Sequence, residues 1–228
     1  MVVRIASYAY QKGFGGHFHN ANSIASLRDI PGLIIASPSN GQDAVRMLRT
    51  CISTAYTQGR VVVFLEPIAL YMTKDLYEDK DGLWSFSYPE PKESLPMSKV
   101  GVYGSGKDLC IISYANGLWM SLRVAKRLEQ QGIQTTVIDL RWLNPIPEQD
   151  LLQHTQGIER ILIVDECRKT GGISEAIISL LAENKQGPHL KRICGLDTYI
   201  PLGAAANLVL IQEQDIEDAA QKLMEEPS

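Results

Sequence analysis

The 228-residue sequence has little cysteine, little aromatic content and no long apolar run. Each shortage removes a class of answer. The four cysteines, Cys51, Cys110, Cys167 and Cys194, form no C-x-x-C pair. That weighs against a disulfide scaffold or a paired-cysteine zinc site, and buried free thiols suit a reducing compartment, here the cytoplasm. No stretch approaches the ~20 apolar residues that span a bilayer, so no membrane partner is expected. No signal peptide is expected either, because Arg4, Gln11 and Lys12 interrupt the first apolar residues. Lysine and arginine total 22 against 26 aspartates and glutamates, a formal net charge of −4. Nucleic acid is therefore not expected as a partner, since a phosphate-binding surface needs a basic excess. Three motifs are also missing: a P-loop, a G-x-S-x-G elbow, and a G-x-G-x-x-G after a strand. Gly101, Gly104 and Gly106 have the wrong spacing and precede their strand.

Hydrophobic residues make up 45% of the chain, enough for a sizeable core. The most distinctive stretch is Gly13-Phe14-Gly15-Gly16-His17-Phe18-His19-Asn20-Ala21-Asn22, which holds two of the four histidines. Glycines allow close backbone approach, and histidine moves protons near neutral pH. An active-site loop at the edge of an α/β sheet has this composition. A surface turn with incidental histidines has it too. His17 and His19 have no neighbouring carboxylate cluster, so zinc is not expected.

The remaining pattern is α/β. Strands are expected at 2–6, 33–36 and 60–65, with a helix over 41–55. Residues 74–108 are polar and proline-punctuated, and 99–108 reads as a small hairpin leading into the second unit. Beyond it, strands at 109–114, 135–139, 161–164 and 190–194 alternate with helices at 116–131 (Gly132 as its C-terminal stop), from 173, and at 216–225. Such alternation implies a doubly wound, mostly parallel sheet. Ligand chemistry gathers beyond the C-terminal ends of such strands. Asp139-Leu140-Arg141, Asp165-Glu166-Cys167-Arg168 and Thr170-Gly171-Gly172 lie there. An anion could bind the last, at a helix N-terminus. Helix capping and ion pairing among Asp139, Arg141, Asp165 and Glu166 is the favoured reading.

Several segments carry a resemblance in a fixed order. They are Gly15-Gly16-His17-Phe18-His19, Ile30-Pro31-Gly32-Leu33, Ala36-Ser37-Pro38, Asp43-Ala44 and Val63-Phe64-Leu65-Glu66-Pro67. Val137-Ile138-Asp139-Leu140-Arg141 with Pro145, Asp165-Glu166 with Thr170-Gly171-Gly172 and Glu175, and Cys194-Gly195-Leu196-Asp197-Thr198 follow. Together they resemble the β part of thiamine-diphosphate-dependent 2-oxoacid dehydrogenases, of branched-chain or pyruvate type. Ile200-Pro201-Leu202-Gly203 and Leu208-Val209-Leu210 look closest to enzymes with fused α and β parts. The resemblance implies the end of a pyrimidine-binding domain at 1–75, a linker at 76–106 and a transketolase C-terminal domain at 107–228.

The family loop reads Gly-Gly-x-x-His, and its histidine aligns with His19. The resemblance implies that His19 handles protons beside the 2-oxoacid and aids acyl transfer to lipoamide, with His17 as a subgroup feature. Asn20-Ala21 replaces the family's Ser-Gln, so the local hydrogen bonding differs. Glu66 matches a strand-end glutamate and takes a structural role. The family's potassium site is not carried over, because 54–59 is longer than usual. The family's cofactor-activating glutamate belongs before Met1, and its Gly-Asp-Gly…Asn motif for magnesium and diphosphate lies in the α part. The complete enzyme would use thiamine diphosphate and magnesium, and this chain alone is expected to bind neither. Implied partners are the α part or upstream half, a second copy in a homodimer, and a lipoyl-bearing acyltransferase. Alternatives are a non-catalytic dimerisation or docking module, which could use an acidic surface including Glu213, Asp215, Glu217 and Asp218, and another thiamine enzyme such as transketolase or deoxyxylulose-phosphate synthase.

Overall fold

The computed structural model describes residues 1–11 and 24–227. Strand β1 (Val2–Ser7) leads toward helix α1 (Ile24–Arg28) and then β2 (Ile34–Ala36). Helix α2 (Gly41–Gln58) follows, then β3 (Val62–Pro67). Asn40 caps α2: its side-chain oxygen accepts the Asp43 N–H at 2.9 Å. Gly59, at φ +66°, ends that helix in the left-handed conformation. The run Val62-Val63-Phe64-Leu65 is β-branched and apolar throughout, so β3 is central and buried on both faces.

The second unit contains β4 (Gly101–Gly104), β5 (Leu109–Ser113), α3 (Ala115–Gln130), β6 (Thr135–Asp139), β7 (Trp142–Asn144), α4 (Glu148–Thr155), β8 (Arg160–Arg168), α5 (Ile173–Glu183), β9 (His189–Gly195) and α6 (Glu213–Met224). Two sheets result, ordered β1-β3-β2-β7 and β4-β6-β5-β8-β9. The pairings are parallel except β2·β7 and β4·β6. Side-chain alternation distributes the second sheet's faces. Leu109 and Ile111 face α3 and α6, in a cluster with Leu118, Leu128, Ile216 and Leu223. Cys110 and Ile112 turn the other way, toward α5 and the first sheet's Ile35, Val63 and Leu65. That shared apolar layer locks the two sheets together.

The expected hairpin at 99–108 does not form. Strand β4 pairs antiparallel with β6, and β5 lies on the far side of β6. The glycines serve a close crossing instead of a hairpin turn. A Cβ on Gly106 would lie 2.1 Å from the Gln134 carbonyl carbon, and Gly104 adopts φ +75° against Thr135. The structure also adds elements that the sequence does not mark, among them α1, β7 and α4. Strand β7 crosses back to the first sheet, where the Asn144 amide donates to the Leu33 carbonyl at 2.6 Å. Its Trp142 is fully buried against Ile34, Ala36, Met47 and Phe64. We expect Trp142→Ala to lower unfolding free energy by about 3–5 kcal/mol in urea titration; a loss under about 1 kcal/mol would mean that β7 does not hold the first core.

Residues 74–100 carry no helix or strand, yet they are tied down. The Asp81 carboxylate accepts the backbone N–H groups of Leu76, Tyr77, Glu78 and Leu83 at 2.7–3.0 Å. Desolvation pushes the Asp81 carboxyl up, but the four bonds together favour its charged form and hold it below the usual carboxylate range. Leu76 and Trp84 bury into the α3 side of the core, and Trp119 on α3 donates to the Asp75 carbonyl at 3.1 Å.

All four cysteines are free, and Cys51, Cys110 and Cys167 are buried. Burial raises the Cys51 and Cys110 thiols to about 12, so neither is a thiolate near neutral pH.

Candidate functional site

The C-terminal ends of strands from both sheets meet at one seam. The Ser37 N–H, just beyond β2, donates to the Arg141 carbonyl at 2.7 Å, and Leu140 N–H donates to the Ser113 carbonyl at 2.9 Å. Ser39 Oγ donates to Asp139 Oδ1 at 3.0 Å while accepting the Ala115 N–H at 2.8 Å. Ser39 therefore ties the first unit to both β6 and α3. Tyr8 Oη lies 2.5 Å from Ser37 Oγ, and the Tyr8 and Tyr114 rings pack 6.0 Å apart. Three non-glycine residues at this seam adopt positive φ: Tyr8 at 68°, Ala115 at 48° and Arg141 at 60°. Backbone strain of this kind persists only where surrounding contacts over-determine it.

Buried carboxylates line the seam. Asp165 Oδ1 accepts from Tyr114 Oη at 2.6 Å and from Cys167 N–H at 3.0 Å. Asp165 Oδ2 accepts the Ser174 N–H at 2.8 Å and so caps α5. Glu166 accepts the N–H groups of Asn116 and Gly117 at 3.0 and 3.4 Å, and the Asn116 side-chain amide at 2.9 Å, so it caps α3. A bulge in β8 between Asp165 and Arg168 supplies the extra residues that turn Glu166 toward that helix end. Arg141 pairs with Asp43 in the first turn of α2 at 2.7 Å and donates to the Val100 carbonyl at 2.7 Å.

Capping therefore accounts for Asp165 and Glu166. The ion pairing takes a different form from the one expected, because Arg141 engages Asp43 from the first unit. Asp139 Oδ2 is buried without a hydrogen-bond partner. Burial raises the Asp139 carboxyl to about 7; the neighbouring Asp43 charge adds to this, and Arg141 and Ser39 oppose it. Burial raises Glu166 to about 8 against the donors on Asn116 and Gly117. The pH dependence follows from the sign. In the unfolded chain Asp139 ionises near 3.8, but in the fold it keeps its proton to about 7. Its stabilising contribution is complete below pH 3.8 and is lost as pH rises through about 7. Asp139→Asn is expected to flatten the stability–pH profile between pH 4 and 7, measured by urea unfolding; an unchanged profile would contradict it.

Thr170-Gly171-Gly172 holds no open anion cradle. A Cβ on Gly172 would lie 2.5 Å from Asp165 Oδ2, which already fills the α5 N-terminus. Asp197 takes the Thr170 N–H and hydroxyl at 2.9 and 2.6 Å. The ends of α2, α3 and α5 are each capped from within this chain, and the seam carries Asp139, Asp165 and Glu166. These residues do not fit a diphosphate, which needs open N–H groups or cations. Among the described residues, no group of three or more histidines, cysteines, aspartates or glutamates is placed to hold a metal.

His17 and His19 lie outside the described residues. The segments that flank them rest on the second unit. Tyr10 Oη donates to the Ile211 carbonyl at 3.0 Å. Arg28 on α1 donates to the Gly171 and Gly172 carbonyls at 3.1 and 2.6 Å. Glu66 is a structural partner: it accepts from Arg4 Nε at 2.5 Å and from Tyr71 Oη. Burial pushes Glu66 upward, but those two donors outweigh it and hold the carboxyl low. Sequence reasoning missed Tyr8, Ser39 and Tyr114, which join the two units. No motif marks them, and only their contacts reveal the role.

A cavity of about 560 Å³ opens at the ends of β2 and β3, lined by residues including Asn40, Phe64, Glu66, Tyr71, Trp84 and Phe86. A second, of about 510 Å³, lies between Tyr10, Leu70, Asn116, Trp119 and Gln212. The acidic helix α6 is less available than its sequence suggests. Glu213 pairs with Arg123 and Arg127 at 2.7 and 2.8 Å, and Glu217 with Arg127 at 2.7 Å. Among the described residues, no helix is long and apolar enough to cross a membrane.

The model of the transketolase C-terminal domain family matches residues 98–216. The pyruvate dehydrogenase E1 component subunit beta of Staphylococcus aureus (strain Mu50 / ATCC 700699) is 27% identical over 232 residues, covering 98% of this chain and 67% of its own length. The Bacillus subtilis (strain 168) protein of that name is 28% identical over 221 residues, 93% of this chain and 63% of its own. The chain thus spans about two thirds of the length of these relatives. A split-gene transketolase, described as an inactive β4 tetramer, superposes with a TM-score of 0.68 at 19% identity, over 98% of this chain and 65% of the other. Campylobacter jejuni transketolase superposes with a TM-score of 0.62 at 12% identity, over 97% of this chain and 31% of the other. At such identities the two structures speak to the fold.

Proposed function

The chain belongs to the transketolase C-terminal domain family, and from that premise we propose that it is the β-type portion of a thiamine-dependent 2-oxoacid dehydrogenase. The carrying observation is the match to pyruvate dehydrogenase E1 β subunits over 93–98% of this chain, through both sheets. In this reading the complete enzyme decarboxylates a 2-oxoacid oxidatively and passes the acyl group to lipoamide on an acyltransferase. Residues 1–75 are the end of a pyrimidine-binding domain, 76–106 a linker and 107–228 the transketolase C-terminal domain.

His19 is the proposed catalytic histidine, donating and accepting a proton beside the 2-oxoacid, with His17 next to it in a supporting role. The seam holds the two flanks of their segment against the second unit, which supports an active-site position over a surface turn. Thiamine diphosphate and magnesium are held chiefly by the α part, because the described residues do not fit the diphosphate. In this reading the chain also forms a homodimer, as the family resemblance implies. Free thiols support a cytoplasmic setting.

Titration calorimetry tests this division of labour. Thiamine diphosphate with magnesium is expected to give no micromolar binding to the chain alone, and binding after an α part is added. Micromolar binding to the chain alone would overturn it.

A further inference from the structure

Two buried aspartates share one cation at the seam. Asp43 is 2% exposed and Asp139 0%. The Arg141 guanidinium directs its bonds to Asp43 Oδ2, at 2.7 and 2.8 Å, and to the Val100 carbonyl at 2.7 Å. From Arg141, Asp139 receives the backbone N–H at 3.2 Å. The Ser39 hydroxyl donates to the same oxygen, Oδ1, and Oδ2 is left without a partner.

The groups that face Asp139 leave a charge on it uncompensated. From α2 comes Asp43, and Asn40 beside it donates to Asp43 and Tyr103. From β4 comes Tyr103, whose phenol is kept neutral by burial and by the two aspartates. From α3 comes the Ala115 N–H, which donates to Ser39 and not to the carboxyl. Beyond β6 comes Arg141, already held by Asp43. One guanidinium cannot neutralise two carboxylates that are both out of water. With Asp139 protonated, Arg141 and Asp43 balance. With Asp139 ionised, the cluster carries one net buried charge.

We propose that Asp139 is a proton-operated latch between the two units: protonated, it closes the seam through Ser39; ionised, it competes with Asp43 for Arg141 and loosens α2 from the second unit. Both contacts that change hold the same helix end. Asp43 lies in the first turn of α2, and Ser39 precedes its cap, Asn40. Opening the seam releases the proton to solvent, and closing it takes the proton back. The direction follows from the fold's hold on that proton: the closed seam keeps it to about pH 7, whereas an opened seam lets it go near 3.8. Opening is therefore favoured as pH rises toward 7 and levels off above it. Glu166 stays capped within the second unit and takes no part. The latch does not depend on the reaction proposed above.

Hydrogen exchange of the full chain between pH 5 and 8, read by mass spectrometry, tests it. Segments 36–41 and 139–143 carry the seam amides, and α6 carries the control amides. With intrinsic rates divided out, seam exchange is expected to be about tenfold faster at pH 8 than at pH 6, while α6 keeps its protection. Asp139→Asn is expected to remove the difference, since its amide oxygen still accepts from Ser39 and carries no charge. Two neighbours move the midpoint in opposite directions, which decides the matter even if Asp139→Asn does not fold. Asp43→Asn removes the repelling charge and is expected to shift the midpoint to lower pH. Ser39→Ala removes a bond that favours the charged form and is expected to shift it to higher pH. Equal seam protection at pH 6 and 8 in the wild-type chain would overturn the latch. So would an undiminished difference in Asp139→Asn, or a midpoint that neither neighbour moves.

Discussion

Glu166→Ala is expected to lower the unfolding free energy by at least about 3 kcal/mol, because it leaves three buried donors without their acceptor and each such loss costs roughly 1–3 kcal/mol. Those donors are the backbone N–H groups of Asn116 and Gly117 and the Asn116 amide. The damage falls at the start of α3, which covers one face of the second sheet through Leu118, Leu122 and Leu128. Glu166→Gln separates charge from hydrogen bonding, since its amide oxygen still accepts. Glu166 keeps its proton in the fold to about pH 8 but ionises near 4.5 when unfolded. Unfolding therefore releases a proton between those values, and stability falls as pH rises through about 8. Glu166→Gln is expected to cost little near pH 5 and to become relatively more stable than wild type near pH 9. Urea unfolding across that range measures it. A Gln variant as damaged as the Ala variant at every pH would mean that the cap needs the carboxyl itself.

The second large effect concerns chemistry. In the complete enzyme, His19→Ala is expected to cut acyl transfer to lipoamide about 10²–10⁴-fold, the usual contribution of a positioned proton donor. Mostly kcat is expected to fall, with KM for the 2-oxoacid little changed, because the proton moves in the transition state and not on binding. His17→Ala is expected to cost much less. Transfer rates measured with an α part and lipoamide decide between the two. Near-normal turnover by His19→Ala would remove it from the mechanism.

Much of the architecture was legible in the residues, for physical reasons. The run at 62–65 is apolar at every position because β3 is buried on both faces. Leu118, Leu122 and Leu128 recur at helical spacing because α3 covers one sheet. What failed was pairing between distant segments. Gly104 and Gly106 look like hairpin glycines, but the contact requiring them comes from Gln134 and Thr135, about thirty residues later. Strand β7 has three residues between Arg141 and Pro145, too few for periodicity, and its role lies in packing Trp142 into the first core. The site was legible only as charges at strand ends. That Asp165 and Glu166 cap helices follows from the β8 bulge, which no local pattern announces. Asp43 gave no hint of its pairing with Arg141, 98 residues away.

The central claim is that this chain supplies the β-type half of a 2-oxoacid dehydrogenase site. Its most direct test mixes the purified chain with a complementary α part, thiamine diphosphate and magnesium, and follows 2-oxoacid-dependent acylation of lipoamide. The account predicts acylation by the mixture and none by either component alone. Full binding of the two components with no 2-oxoacid turnover, or with ketol transfer between sugar phosphates instead, would contradict it.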